Sequence, residues 1–165
     1  MSTFEIYPLD KTFDRSSFDC GSKELNDFLQ TKARQNQNVG FNRTFVAVSS
    51  DDAKKIVVGF YSLSMGELDL SLLSEDLIKQ LPKHPVPIAR MGRLAVDNSQ
   101  KGKGLGRFLL VSAMKSVQSA ANSVGVFALL VDAKDKSAKQ FYLKYGFIAL
   151  GDNKMTLFLP LASFP

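Results

Sequence analysis

Apolar residues recur along this chain at two spacings, and the switches between them mark out the elements. Phe4-Glu5-Ile6-Tyr7-Pro8-Leu9 alternates weakly and predicts a first strand at a sheet edge. Residues 10–21 are turn-rich. Ser22 is placed to cap a helix, and Glu24 in its first turn suits the helix dipole. Leu25, Phe28, Leu29 and Ala33 then form one apolar face. This helix runs into a polar, basic segment over 32–38, and Gly40 breaks it. Residues 44–48 and 55–63, separated by a polar turn, predict a hairpin. Residues 70–81 predict a short helix with Leu72, Leu73, Leu77 and Ile78 on its apolar side. Pro82, Pro85 and Pro87 enforce an extended connection around His84. Residues 88–96 predict a strand interrupted at Gly92, where a bulge is expected.

That strand ends in Arg93-Leu94-Ala95-Val96-Asp97 and is followed by Lys101-Gly102-Lys103-Gly104-Leu105-Gly106. Leu105, Phe108, Leu109, Ala113, Val117 and Ala120 then recur at helical spacing, to about Asn122. Residues 126–131 are continuously apolar, as a strand buried on both faces requires. Asp135 is placed to cap a helix carrying Ala138, Phe141, Tyr142 and Tyr145, which Gly146 stops. Residues 147–150 and 155–159 predict a closing hairpin around Gly151-Asp152-Asn153. The chain shows no internal repeat, low-complexity segment or linker. The expected architecture is α/β, a single domain over 1–165 with one mixed central sheet flanked by helices.

The strand, glycine turn and helix start around 101–106 outline an anion site. Glycine lets the backbone come close to a ligand, and a helix N-terminus offers unpaired N–H groups and partial positive charge. A pyrophosphate is the expected ligand; a tight connection with no ligand is the alternative. Two other phosphate motifs fail. A Walker loop needs Ser or Thr after Gly-Lys, and Gly102-Lys103 is followed by Gly104. A dinucleotide fingerprint needs a third glycine where Arg107 stands.

Composition narrows the chemistry. The 165 residues are 45% hydrophobic and 22% charged, ordinary for a soluble globular domain. Cys20 is the one cysteine and His84 the one histidine, which argues against an internal disulfide, a conventional zinc site and a Cys–His nucleophile pair. No apolar run approaches membrane-spanning length, and the N-terminus lacks a signal-peptide pattern, so a cytoplasmic protein is expected. A net charge of +5 mildly favours an acidic partner.

Three linked pieces resemble the GCN5-related N-acetyltransferase (GNAT) family. They are residues 93–106, similar to its Gln/Arg-x-x-Gly-x-Gly/Ala pyrophosphate loop, the apolar strand at 127–131, and Ala138-x-x-Phe141-Tyr142-x-x-x-Gly146-Phe147, similar to its Ala-x-x-Phe-Tyr-x-x-x-Gly-Phe signature. Lys101 stands where Gln or Arg is usual and keeps a charged donor. Asp135 stands where many members carry Asn, and a carboxylate cannot donate as Asn does. A narrower resemblance extends through the first half: Phe18-x-Cys20-Gly21-x-x-x-Leu25-x-x-Phe28-Leu29, then Thr44-Phe45-Val46-Ala47, then Gly59-Phe60-Tyr61-Ser62-Leu63-Ser64. These look like the acetyltransferase toxins of bacterial toxin–antitoxin pairs, which acetylate the amino acid on charged tRNA and are neutralised by a ribbon-helix-helix antitoxin.

The resemblance implies acetyl-CoA as cosubstrate. Backbone N–H groups of Lys101, Gly102, Lys103, Gly104, Leu105 and Gly106 would hold its pyrophosphate. The strand edge at Leu94, Ala95 and Val96 would hold the pantetheine arm, with an N–H near Leu94 stabilising the oxyanion; Asp135 would lie against the cofactor. Tyr142 is the expected proton donor to the departing thiolate, its alternative being an apolar rib of its helix. His84, Glu67 or a water chain are open as general base. An α-amine, pKa ~8 against ~10.4 for lysine, needs little help, and so agrees with an aminoacyl-tRNA acceptor. Lys32, Arg34, Arg43, Arg90 and Arg93 would meet tRNA phosphates. The rival readings are an acetyltransferase of small amines or proteins, and a domain that senses acetyl-CoA or is an inert partner. A homodimer is compatible with the exposed hairpins.

Overall fold

The computed structural model describes residues 3–151 and 153–165, without the side chains of Asn153 and Lys154. Seven strands form one sheet in the order β1-β2-β3-β4-β5-β7-β6. They are β1 (Phe4–Pro8), β2 (Arg43–Ser49), β3 (Gly59–Leu68), β4 (Val86–Val96), β5 (Ala128–Asp132), β6 (Ile148–Leu150) and β7 (Asn153–Pro160). The helices are α1 (Lys23–Asp27), α2 (Ala33–Asn38), α3 (Glu75–Gln80), α4 (Leu105–Ala120) and α5 (Lys136–Lys144). The mixed α/β architecture and the order of elements follow the sequence pattern, and β1 is an edge strand as its weak alternation predicts. β4 and β5 are parallel, Ile88–Met91 against Ala128–Val131, with α4 in the crossover. Gly92 lies within β4, whose extended backbone is unbroken from Val86 to Val96.

Packing groups the chain into two compact units. One takes the chain to Ser64 with Gly92–Lys115, the other Met65–Met91 with Ser116–Pro165. In the first, Phe28, Leu29 and Ala33 meet Val46, Val48, Phe60 and Ala95 in a buried cluster that also holds Phe13, Phe18 and Cys20. Ser22 caps α1, its Oγ accepting from the Leu25 N–H at 3.4 Å. The expected continuous helix is interrupted: α1 and α2 are joined by a π-helical turn over Phe28–Lys32, where the Ala33 N–H donates to the Phe28 carbonyl. Arg15 Nη1 donates to the Leu29 carbonyl at 2.8 Å, and Thr31 Oγ1 to the Asp27 carbonyl at 2.6 Å. Both compete with the helical ladder at the turn where its register slips.

β3 begins four residues later than expected and runs five residues further. Residues 55–57 are recruited elsewhere: the Asp14 N–H donates to the Lys55 carbonyl, and the Val57 N–H returns a bond to the Asp14 carbonyl, both at 2.9 Å. On α4 the buried face is Leu105, Leu109, Leu110, Ala113, Met114 and Val117. Phe108 and Ala120, expected on that face, are exposed, Phe108 by 44%. Residues 70–81 divide into a 3-10 turn over Leu70–Leu72 and α3, because Ser74 caps a new helix by accepting from the Leu77 N–H.

In the second unit, Leu68, Leu73, Val86, Ile88, Ala128, Leu130, Leu150 and Phe158 form the buried cluster. Ala128–Val131 is buried throughout, as its continuous apolar run requires. β6 and β7 form the closing hairpin; Asp152 of its turn lies outside the described residues.

Candidate functional site

The glycine stretch has the conformation an anion site needs. Asp97 follows β4, its carboxylate accepting from the Ser99 N–H and hydroxyl and so capping a short 3-10 turn over Asn98–Gln100. Gly102 and Gly104 then take positive φ of 78° and 81°, where an L side chain is strained. An added Cβ at either would meet nothing within 4 Å, so backbone angle, and not crowding, demands glycine. Among the described residues, no backbone N–H from Gly102 to Arg107 has a protein acceptor; the first helical bond is Phe108 N–H to the Gly104 carbonyl at 3.1 Å. Successive free N–H groups across left-handed glycines, opening a 16-residue helix, make an anion-binding concavity. Exposed Lys103 and Arg107 add positive charge. This donor set fits a pyrophosphate.

The loop is tied to the turn that precedes α1. Lys101 Nζ donates to the Cys20 carbonyl at 2.8 Å. Asp97 Oδ1 accepts from the Asp19 N–H, also at 2.8 Å, and the Asn98 N–H donates to the Asp19 carbonyl. Lys101 thus spends one donor on structure, a use the sequence did not reveal. Burial pushes the Asp97 carboxyl up, but hydrogen bonds from Ser99 and Asp19 and the charge of Lys101 outweigh it, and the net shift is downward.

Leu94 and Val96 are half-buried in β4 and Ala95 is buried. Arg93, one residue earlier, lies with its guanidinium 3.7 Å from the centroid of the Phe28 ring. Burial lowers its pKa, with Glu24 opposing. Among the described residues no acceptor hydrogen-bonds that guanidinium. The other basic residues divide: Lys32 and Arg43 are exposed, Arg34 is half-buried near Asp10, and Arg90 pairs with Asp132. The ion pair makes Arg90 a less available phosphate ligand than the sequence suggested.

On α5, Asp135 caps the helix, its Oδ1 accepting from the Ala138 N–H at 2.8 Å. That carboxylate is therefore engaged by its own helix. Tyr142 is buried, its ring 5.3 Å from Phe141 and 5.5 Å from Phe147, centroid to centroid. Among the described residues nothing hydrogen-bonds its hydroxyl, although a tyrosine used only as core usually finds a partner. Burial, helped by the Asp132 charge, raises the phenol well above its ordinary pKa, so it keeps its proton. His84 and Glu67, the two named candidates for a base, are exposed and line one cleft with Asp69 and Lys83.

A strand-to-helix anion loop following a strand of a mixed seven-stranded sheet is the arrangement of a nucleotide-cofactor-binding α/β domain. The Acetyltransferase (GNAT) domain model matches residues 77–160, and this chain belongs to the GNAT acetyltransferase family. The tRNA-acetylating toxin of Mycobacterium tuberculosis (strain ATCC 25618 / H37Rv) is 37% identical over 134 residues, covering 81% of this chain and 78% of that protein. The structure of AtaT complexed with acetyl-methionyl-tRNAfMet superposes with a TM-score of 0.91 at 33% identity, covering 98% of this chain and 96% of that one. A tyrosine-to-phenylalanine mutant of AtaT, bound to the C-terminus of the antitoxin AtaR and acetyl-CoA, superposes with a TM-score of 0.83 at 31% identity, covering 97% and 94%. Among the described residues no helix is long and apolar enough to cross a membrane.

Proposed function

We propose that the whole chain is one N-acetyltransferase domain that moves the acetyl group of acetyl-CoA to the α-amine of an aminoacyl-tRNA, blocking translation as a toxin. The observation that carries the donor half is the run of free N–H groups over positive-φ Gly102 and Gly104. The acceptor half rests on similarity to a tRNA-acetylating toxin and to AtaT solved with an acetylated aminoacyl-tRNA.

Bound acetyl-CoA supplies an activated thioester. In the transfer, a C–N bond forms, the C–S bond breaks, the amine gives up a proton and the sulfur gains one. The 102–106 backbone would orient the pyrophosphate, and Leu94 to Val96 the pantetheine arm. Tyr142 holds a proton in a buried setting and is the donor to the sulfur. Arg93, half-buried and with no hydrogen-bond acceptor among the described residues, is the acceptor-side cation with the most to gain from a phosphate. Asp135 serves the fold of α5. A ribbon-helix-helix antitoxin is the expected partner, in line with AtaT bound to AtaR, and the working compartment is the cytoplasm.

Binding to aminoacyl-tRNA tests this reading independently of turnover. The association constant should fall steeply with added salt, and Arg93→Ala should weaken binding and flatten that dependence by about one phosphate contact. Salt-independent or absent binding, with acetyl transfer to small amines or proteins intact, would favour the rival acetyltransferase reading.

A further inference from the structure

Val39 and Phe41, 70% and 74% exposed, are the two most exposed large apolar side chains among the described residues. Single exposed apolar residues are unremarkable, but here two flank one glycine. Their backbone is also firmly held. The Gly40 N–H donates to the Gln37 carbonyl at 3.1 Å and the Phe41 N–H to the Asn36 carbonyl at 2.9 Å. Gly40 takes φ +81°. This is a Schellman-type stop, in which the residue in the place of Phe41 usually folds back onto its helix; here it stays in solvent. Gln37 fixes the segment from the other side, its Nε2 donating to the Leu9 carbonyl at 2.9 Å and its Oε1 accepting from the Thr44 N–H at 3.0 Å.

The chain on either side is basic, although Arg34 is half-buried near Asp10. Arg43, exposed, follows two residues later, and Lys32 and Arg34 lie on the helical segment that ends here. An exposed aromatic ring on an ordered backbone, with cations along the same stretch of chain, is a combination by which single-stranded nucleic acid is held, with bases on the ring and phosphates on the charges. We propose that Phe41 is a stacking platform for an unpaired base of the RNA acceptor, with Arg43 meeting the adjoining phosphate. The inference rests on the tRNA reading above and adds to it a contact insensitive to salt.

The test measures binding of total aminoacyl-tRNA to the wild-type protein, Phe41→Ala, Phe41→Trp and Arg43→Ala across a salt series. Phe41→Ala should weaken binding about 5- to 100-fold while leaving the slope of affinity against salt and the affinity for acetyl-CoA unchanged. Phe41→Trp should restore binding, and Arg43→Ala should flatten the slope. Unchanged affinity in Phe41→Ala would overturn the proposal. So would a loss that accompanies a change of oligomeric state, which would make the patch an interface between copies. Failure of the wild-type protein to bind tRNA at any salt would instead remove the reading on which this inference stands.

Discussion

The Tyr142 hydroxyl combines three properties: a buried ring, a proton held tightly by desolvation and the Asp132 charge, and no hydrogen-bond partner among the described residues. Such a phenol keeps its proton until the sulfur leaves; because a thiolate is the weaker base, we propose that the transfer accompanies C–S cleavage and that the proton released by the amine restores the phenol. Tyr142→Phe keeps the ring packing against Phe141 and Phe147. It should therefore lower kcat about 100-fold or more, with the KM for acetyl-CoA and the melting temperature close to wild type. Gly104 makes a different demand. With φ at +81° and open space around it, Gly104→Ala meets no clash and is penalised through the backbone alone, by about 1–2 kcal/mol. Calorimetric titration should show weaker acetyl-CoA binding, because relaxing that angle would turn the N–H groups away from the pyrophosphate site proposed above.

At the level of elements, the loop after β4 depends on residues distant in sequence. Asp97, Lys101 and Asn98 fasten it to the Asp19–Cys20 backbone. The folded state depresses the Asp97 carboxyl, so its contribution to stability is present above the ordinary carboxylate range and is lost as pH falls through the folded value. Thermal unfolding measured from pH 6 downward should show the melting temperature falling below about pH 4. Asp97→Asn should start lower and fall less steeply.

Much of this architecture was legible in the sequence. Ser22 and Asp135 announced their helices by capping chemistry, and the apolar run 126–131 announced a buried strand, which starts at Ala128 with Val126 and Phe127 half-buried before it. What periodicity could not supply came from long-range bonds. The π-turn forms where Arg15 and Thr31 claim carbonyls of the helical ladder. The start of β3 is displaced because Asp14 pairs with 55–57. Phe108 fits the helical spacing, yet the buried stripe of α4 runs through Leu110 and Met114 on the other side of Leu109. Of the proposed site residues, the glycines and Tyr142 were visible as a pattern. The structural duties of Lys101, Asp135 and Arg90 were not, because a charged side chain does not declare its partner in sequence. Phe41 was missed for the same reason: only the fold shows that an aromatic is left in solvent.

For the molecule as a whole, the central claim is the identity of the acceptor. A net charge of +5 is compatible with many acidic partners. An acetyl-CoA site likewise says nothing about which amine is acetylated. The favourable pKa of an α-amine, an Arg93 guanidinium with no hydrogen-bond acceptor among the described residues and the likeness to AtaT solved with acetyl-methionyl-tRNAfMet all point the same way. The most direct measurement is incubation of the protein with labelled acetyl-CoA and total charged tRNA. The label should appear on the amino acid of the aminoacyl-tRNA fraction, be released when the ester is hydrolysed, and fall away with Tyr142→Phe. Label confined to small amines or protein, with none in the aminoacyl fraction, would contradict the account.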